Sequence, residues 1–354
     1  MTTIRPSHLW PGVLLALGSA VLFGAAAPLS KLLLGTINPW LLAGTLYLGA
    51  GFGLAIFSLA RKALGLSNVD APLRRSDLPW LAGVVLFGGV IGPLMLMLGL
   101  ALTSASTGSL LLNLEGLATM GIAWIVFREN VDRRLLLGAF AILAGAVLLT
   151  WNGQGLNLDL GAVLAAAACL AWGIDNNLSR KLSAADPVQI AMIKGFVAGT
   201  VNICLALATG AMPPAPVFVL SGAVVGFFAI GVSLVMFMLG LRHLGTARTG
   251  AYFSLAPFIG AVLALILLRE AITPGVIAAG GLMAFGLWTH LTERHEHTHV
   301  HDAIEHEHAH VHDEHHQHAH DGPATEPHSH RHRHEPIGHS HPHYPDLHHR
   351  HEHG

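Results

Sequence analysis

Charge is scarce in this sequence. Only 11% of its 354 residues are Asp, Glu, Lys or Arg, against 52% that are hydrophobic. Even those figures understate the imbalance, because 23 of the 26 histidines lie beyond Glu293. What precedes them is almost continuous apolar sequence broken by short polar turns. A soluble domain needs amphipathic helices or alternating strands, and neither pattern is present. Cysteine is scarcer still: Cys169 and Cys204 are the only two. Both sit inside apolar runs, where they read as small packing residues with no disulfide framework. Forty glycines are present, yet no Walker motif and no dinucleotide fingerprint, which argues against an ATP-driven pump. Runs such as Gly88-Gly89 and Gly280-Gly281 read instead as places where membrane helices approach closely.

Apolar segments of roughly 20 residues match a bilayer core about 30 Å thick. Ten such segments are predicted, at Leu9–Leu34, Pro39–Ala60, Leu78–Leu102, Ser106–Phe127 and Leu135–Trp151, then Leu160–Ser179, Val188–Thr209, Val217–Leu241, Thr249–Leu268 and Pro274–Leu291. The first could pass for a cleavable signal peptide, with Arg5 before it and Ala25-Ala26-Ala27 within it. It continues to Leu34, however, and recurs internally.

That recurrence organises the chain. Met97–Glu129 and Met238–Glu270, 141 positions apart, agree at nine of 33 positions without a gap, including Met-Leu-Gly-Leu at the start and Arg-Glu at the end. Upstream, Phe23-Gly24 to Leu29-Ser30-Lys31 answers Trp172-Gly173 to Leu178-Ser179-Arg180. Five helices per repeat is an odd number, so the second half enters the membrane from the opposite side. Internal symmetry of this kind in an apolar chain marks a secondary transporter. The domain expectation is a cytoplasmic N-terminus at 1–8, repeats at 9–151 and 160–292 joined by a turn at 152–159, and a tail at 293–354. Orientation follows from the loops. One side holds Arg61, Lys62, Arg74, Arg75, Arg128, Arg133, Arg134, Arg180, Lys181, Arg242 and Arg248, the other only Arg269. Both termini are therefore expected in the cytoplasm of a bacterial inner membrane.

The tail breaks with everything before it. It has few apolar residues and places histidine at nearly every second position over long runs. Such a segment buries too little surface to offset its ordering entropy, so disorder is expected. Neutral imidazole binds nickel, cobalt and zinc, and the candidate ligands are His295, His297, His299, His301, His306, His308, His310, His312, His315, His316, His318, His320, His328, His330, His332 and His334. His312-Asp-Glu-His315-His316 mimics a box of membrane di-iron desaturases. Those enzymes spread their boxes over several loops, and here all lie in one tail.

With its ten helices in two inverted halves, its Phe23-Gly24 and Trp172-Gly173 pairs, the turns before helices four and nine, and Arg128-Glu129 and Arg269-Glu270, the chain resembles the EamA-like branch of the drug/metabolite transporter superfamily. The resemblance covers Leu9 to Leu291. It implies export of amino acids, metabolites or drugs, or exchange of phosphorylated compounds and nucleotide sugars. Two departures stand out: the proline frequent in the family's fourth helix is present in the ninth as Pro257 but is Gly116 in the fourth, and the histidine tail lies outside the family pattern.

Ionisable groups inside a bilayer cost about 2.5–3.5 kcal/mol on insertion scales and suggest function. Glu115 is the deepest. It reads either as a proton or cation site or as a structural partner of a lysine or backbone amide. Asn113, two positions earlier, falls roughly 200° away around a helix, so the two do not face one cavity equally. Asp175, Asn176 and Asn177 form the richest polar cluster in any helix, where the first half has Ala26, Ala27 and Pro28. The bland alternative is a solvated helix end. Lys194 either neutralises Asp175 or, the favoured reading, snorkels to the surface. Lys31 is expected to reach the outer interface, with a substrate-gating role as the alternative.

The fold class expected is thus an all-α membrane protein of ten transmembrane helices in two inverted repeats, with a disordered histidine-rich tail. The expected function is a non-enzymatic secondary transporter exporting a small metabolite or divalent metal. The alternative is a membrane-anchored metal sensor or buffer. No cofactor is expected in the core. The expected partners are lipid and a small-molecule or metal-ion substrate, with a homodimer open and no nucleic acid.

Overall fold

The computed structural model describes residues 10–65, 73–127, 133–150, 159–182, 185–244, 246–292, 296–301, 305–310, 328–333 and 337–342. Up to residue 292 it is helical. In chain order the helices are α1 (Trp10–Gly24), α2 (Ala26–Leu34), α3 (Pro39–Ala63), α4 (Leu78–Val84), α5 (Gly92–Leu102), α6 (Ala105–Leu111), α7 (Leu114–Phe127), α8 (Arg133–Thr150), α9 (Leu160–Ser179), α10 (Pro187–Ala208), α11 (Pro216–Gly226), α12 (Ser233–Leu244), α13 (Thr246–Phe253), α14 (Ala256–Leu267) and α15 (Pro274–Leu291). Among the described residues nine helical stretches are long and apolar enough to cross a membrane, from Pro11–Leu34 to Pro274–Leu291. The 20-residue α9, which carries the Asp175 cluster, is not one of those nine.

Several helix starts follow directly from sequence. Asn38 accepts a hydrogen bond from the Trp40 amide and is followed by Pro39, which opens α3. Asp186 accepts from the amides of Val188 and Gln189 and is followed by Pro187, which opens α10. A side-chain oxygen satisfies an orphan amide, and proline supplies a preset φ where no N–H is needed.

The repeat also governs where helices are irregular. Helix four breaks at Leu112-Asn113 between α6 and α7, and helix nine at Ser254-Leu255 between α13 and α14. These sites are 142 positions apart, within one residue of the 141-position repeat. Pro257, at the start of α14, explains the second break, since proline cannot donate into the preceding turn. At the first break Gly116 stands in its place. There the Asn113 side-chain amide takes the Leu110 carbonyl at 2.8 Å, and the Cys169 thiol donates to the Leu111 carbonyl at 3.4 Å. A π-helical turn at Val85–Ile91 joins α4 to α5, and another at Phe227–Val232 joins α11 to α12.

The helices interdigitate between halves. The main packing partners are α3 with α10, α8 with α15, α1 with α12 and α14, and α9 with α5 and α7. Each pair takes one helix from each repeat, so the core of the protein is the interface between its halves. The glycine of each aromatic-glycine pair sits at such a crossing. A Cβ on Gly24 would meet the Ala256 carbonyl of α14, and one on Gly173 would lie 2.7 Å from the Ala118 Cβ and 2.9 Å from the Thr119 amide of α7. Small residues let backbones meet where apolar burial supplies no driving force between helices in lipid.

The tail departs from expectation. Instead of lacking regular structure, its described residues form four short strands, β1 (Glu296–His301), β2 (Glu305–His310), β3 (His328–Arg333) and β4 (Ile337–Pro342), paired antiparallel as β1–β4 and β2–β3. Alternation of histidine with other residues matches the period of two of a strand, and backbone groups with no core to join are satisfied by pairing with each other.

Candidate functional site

The polar centre of the bundle starts from a proline. Pro93 has no N–H and follows Gly88 by five residues, the spacing of a π-helical hydrogen bond. The Gly92 amide goes to the Phe87 carbonyl, so the Gly88 carbonyl has no helical donor left. Side chains replace it: the Tyr47 hydroxyl of α3 donates to it at 2.7 Å and the Trp172 indole of α9 at 3.1 Å. The next carbonyl, Gly89, accepts from the Asn202 amide of α10 at 3.2 Å.

Against this turn lies an ion pair. Lys194 of α10 and Asp175 of α9 meet at 2.6 Å, with 18% and 8% of their side chains exposed. The absence of a side chain at Gly88 makes room for them, because a Cβ there would collide with the Asp175 carboxylate. Ser179 completes the carboxylate's surroundings, donating at 3.4 Å. A pair this well desolvated is held by its mutual charge, and losing one partner strands the other.

One helical turn away, α7 meets α9. The Asn176 amide donates to the Glu115 carboxylate at 3.0 Å and to the Thr119 hydroxyl at 3.1 Å. Thr119 in turn donates to the Glu115 carbonyl at 2.9 Å. Asn177 donates to the carbonyls of Thr119 and Gly173 at 3.0 and 2.8 Å, while its buried Oδ1 has no hydrogen-bond partner. Asp175 and Lys194 neutralise each other. Among the described residues the Glu115 carboxylate is met by the Asn176 amide and by no cation within hydrogen-bond reach, so it supplies the net negative charge of the cluster, a setting that favours a proton or a cation.

The structure therefore brings together Glu115, Asp175, Asn176, Asn177 and Lys194. It sets Asn113 apart, with its amide on Leu110 and near the Met283 sulfur of α15. The helix break does not undo the angular separation expected of positions 113 and 115. Lys194 corrects the expectation that it snorkels: with Asp175 inside its reach, the charge is satisfied in place. Lys31 is half-buried at the end of the bundle, its ammonium donating to the carbonyls of Leu100 and Thr103, the latter at 2.8 Å. Tyr47, Thr119 and Asn202 were not singled out from the sequence. Gly88-Gly89, five and four residues before Pro93, was the available signal.

A cavity of about 310 Å³ between α3, α10 and α11 is lined by Thr45, Leu48, Gly49, Phe52, Ile203, Val219, Ala223 and Val224. The Thr45 hydroxyl is spent on the Leu41 carbonyl at 2.7 Å, so this cleft offers nothing to orient a polar substrate. No group of three or more His, Cys, Asp or Glu residues among the described residues is placed to hold a metal ion. Of the tail candidates, His295, His312, His315, His316, His318, His320 and His334 lie outside the described residues, as do Arg128 and Glu129. The strand register sets His306 opposite His332, His308 opposite His330 and His310 opposite His328.

Comparison with known proteins bears on both halves. The profile of the EamA-like transporter family matches residues 10–151 and again 159–292. A protein of the archaeon Methanothermobacter thermautotrophicus, described as an uncharacterized transporter, is 31% identical over 277 residues, covering 74% of this chain and 80% of the relative. The uncharacterized transporter YyaM of Bacillus subtilis is 23% identical over 260 residues, covering 70% of this chain and 82% of its own. A solved crystal structure, titled only as that of a protein, shares the fold at a TM-score of 0.57 and 20% identity, across 81% of this chain and 96% of that one.

Proposed function

The chain belongs to the EamA-like transporter family and is a multi-pass membrane protein, and from that premise we propose that it is a secondary transporter working by alternating access. Two inverted five-helix repeats, ten membrane helices in all, rock about their shared interface and expose a central site to each side in turn. The loop charge asymmetry supports a bacterial inner-membrane location with both termini cytoplasmic. The cargo is a small metabolite or a divalent metal ion moved outward, and the histidine tail binds nickel, cobalt or zinc at the inner mouth. Opposed histidines along β2 and β3 support that role for the tail.

One observation carries the reading. Glu115 of the first half meets Asn176 of the second at 3.0 Å, at a helix crossing between repeats, beside a neutralised ion pair. A carboxylate that joins the moving halves and has no cation of its own suits reversible binding of a proton or cation during the cycle. Glu115→Gln keeps the shape and an oxygen for the Asn176 amide while removing the charge. In proteoliposomes screened with nickel, cobalt, zinc, amino acids and nucleosides, this variant should stay folded and lose proton- or cation-driven accumulation. Exchange of substrate down its own gradient should survive. Wild-type accumulation per folded molecule would remove Glu115 from the mechanism. Deleting residues beyond Glu293 separates transporter from sensor: continued flux through the truncated core rejects a membrane-anchored sensor without transport.

A further inference from the structure

The turn between α5 and α6 is gripped from both sides by charges that the polar centre does not use. Glu270, in the link between α14 and α15, accepts hydrogen bonds from the amides of Ala105 at 2.7 Å and Ser106 at 2.9 Å. Ser104 takes the Thr107 amide at 3.1 Å. The first amides of α6 are therefore satisfied only with Glu270 in place. On the other side of the same turn, Lys31 at the end of the first helix holds the carbonyls of Leu100 and Thr103 at the end of α5. An anion on helix N-terminal amides and a cation on helix C-terminal carbonyls each complement the backbone dipole there. The backbone is bent to achieve this: Arg269 has φ 52, the only positive φ of a non-glycine residue among the described residues. That conformation is costly for arginine, and it turns the chain so that the next residue, Glu270, reaches across.

The contact also has the right place in the architecture. Ala105 and Ser106 belong to the first repeat and Glu270 to the second, 165 and 164 residues away. Glu270 closes the second copy of the repeated stretch, and the turn it holds opens the fourth helix in the first copy. The grip thus bridges the halves at the bundle end where the third and fourth helices join, away from the Asp175–Lys194 pair. Lys31 and Glu270 are half-buried at the edge of the bundle, whereas Ala105 and Ser106, whose amides Glu270 holds, are 0% and 2% exposed, so letting go requires the turn itself to move to where those amides find a new acceptor.

We propose that Glu270 is a positioning residue that forms a releasable latch between the two halves, with Lys31 holding the same α5–α6 turn in shape from within the first repeat, and that opening this end of the bundle requires Glu270 to let go of that turn. The idea of a cycle rests on the transport reading; the latch itself does not need a known substrate to be tested. Nitroxide labels at Leu102 and Met212, which are 57% and 83% exposed near this same end, report its width by double electron–electron resonance in nanodiscs, in a Cys204→Ser background because Cys204 is exposed. The wild type should show a short and a longer distance population. Glu270→Gln and, independently, Lys31→Met should each raise the longer population by about threefold or more, since the first weakens the contact that joins the halves and the second loosens the turn which that contact grips. Identical populations in the wild type and both variants would reduce the grip to a static helix cap and overturn the latch. Glu270→Gln retains one acceptor oxygen and is expected to fold; Lys31→Met reads the same turn from the opposite side. A population shift in a protein that moves none of the screened solutes leaves the latch standing and the transport reading failed. Flux with unchanged populations does the reverse.

Discussion

The two π-helical turns occupy matching places in the two repeats, yet they are finished differently. At Val85–Ile91 the following Pro93 strips the Gly88 carbonyl of a helical donor, and three neighbouring helices supply Tyr47, Trp172 and, to the next carbonyl, Asn202. At Phe227–Val232 no proline follows. Leu234 stands where Pro93 would be, and the Ser233 amide continues the helical bonding to the carbonyls of Phe228 and Ile230. The same contrast holds around them. Glu115 matches Ala256 and Thr119 matches Gly260 in the ninth helix, while Asp175, Asn176 and Asn177 match Ala26, Ala27 and Pro28 in the first. The irregular helices belong to the scaffold, which needs them twice. The polar groups occur at one copy of each matched position, so the candidate site is one-sided in a repeated frame.

The sharpest way to break that asymmetry is through the ion pair. Asp175→Asn or Lys194→Met alone should each lower stability by about 3–5 kcal/mol, because a buried charge is left without its partner, whereas the double variant should recover most of the loss. Thermal unfolding in detergent gives the comparison, and a double variant no better than the singles would show that the two do not act as a pair. Next come the glycine crossings, where the halves ought to behave alike. Gly173→Val and Gly24→Val should both destabilise by roughly 1–3 kcal/mol or more, since the added carbons meet backbone that cannot move aside. A large effect at one and none at the other would mean that the two crossings are not equivalent.

A smaller effect tests the proline argument. Tyr47→Phe should cost about 1 kcal/mol, and less in a Pro93→Ala background, where an N–H becomes available to the Gly88 carbonyl. Equal losses in both backgrounds would show that Pro93 does not create the need for Tyr47. The smallest effect on the core should come from the tail. Removing residues beyond Glu293 should leave the unfolding midpoint unchanged. The isolated tail peptide should bind several nickel or zinc ions at pH 7 and bind them far more weakly near pH 5.5. Imidazole titrates near 6.5, and protonation takes the nitrogen the metal needs, so affinity is lost as pH falls through that value. Calorimetry at the two pH values decides it; equal binding would assign the ions to the carboxylates.

Much of this molecule was legible in the chain alone. Long apolar runs dictate membrane helices because an unsatisfied backbone has no alternative in lipid. The 141-residue repeat announces matched elements, and the matched breaks in helices four and nine follow from it. Glu115 and the Asp175 cluster were visible because ionisable side chains are expensive in such surroundings. What the sequence left undetermined was which groups meet. Lys194 was as free to reach the surface as to reach Asp175 until α9 and α10 were packed against the Gly88 turn. Lys31 looked like an interfacial anchor until the end of α5 was placed beside it. Tyr47 and Asn202 gave no sign of a role, because their partners are backbone carbonyls whose vacancy depends on a proline in another helix. Glu270 lies 165 residues from the amide it caps. Local pattern is governed by solvent and by the chain's own short-range geometry, so it can be read along the sequence. Pairing is governed by helix crossings between the two halves, and those exist only once the bundle has closed.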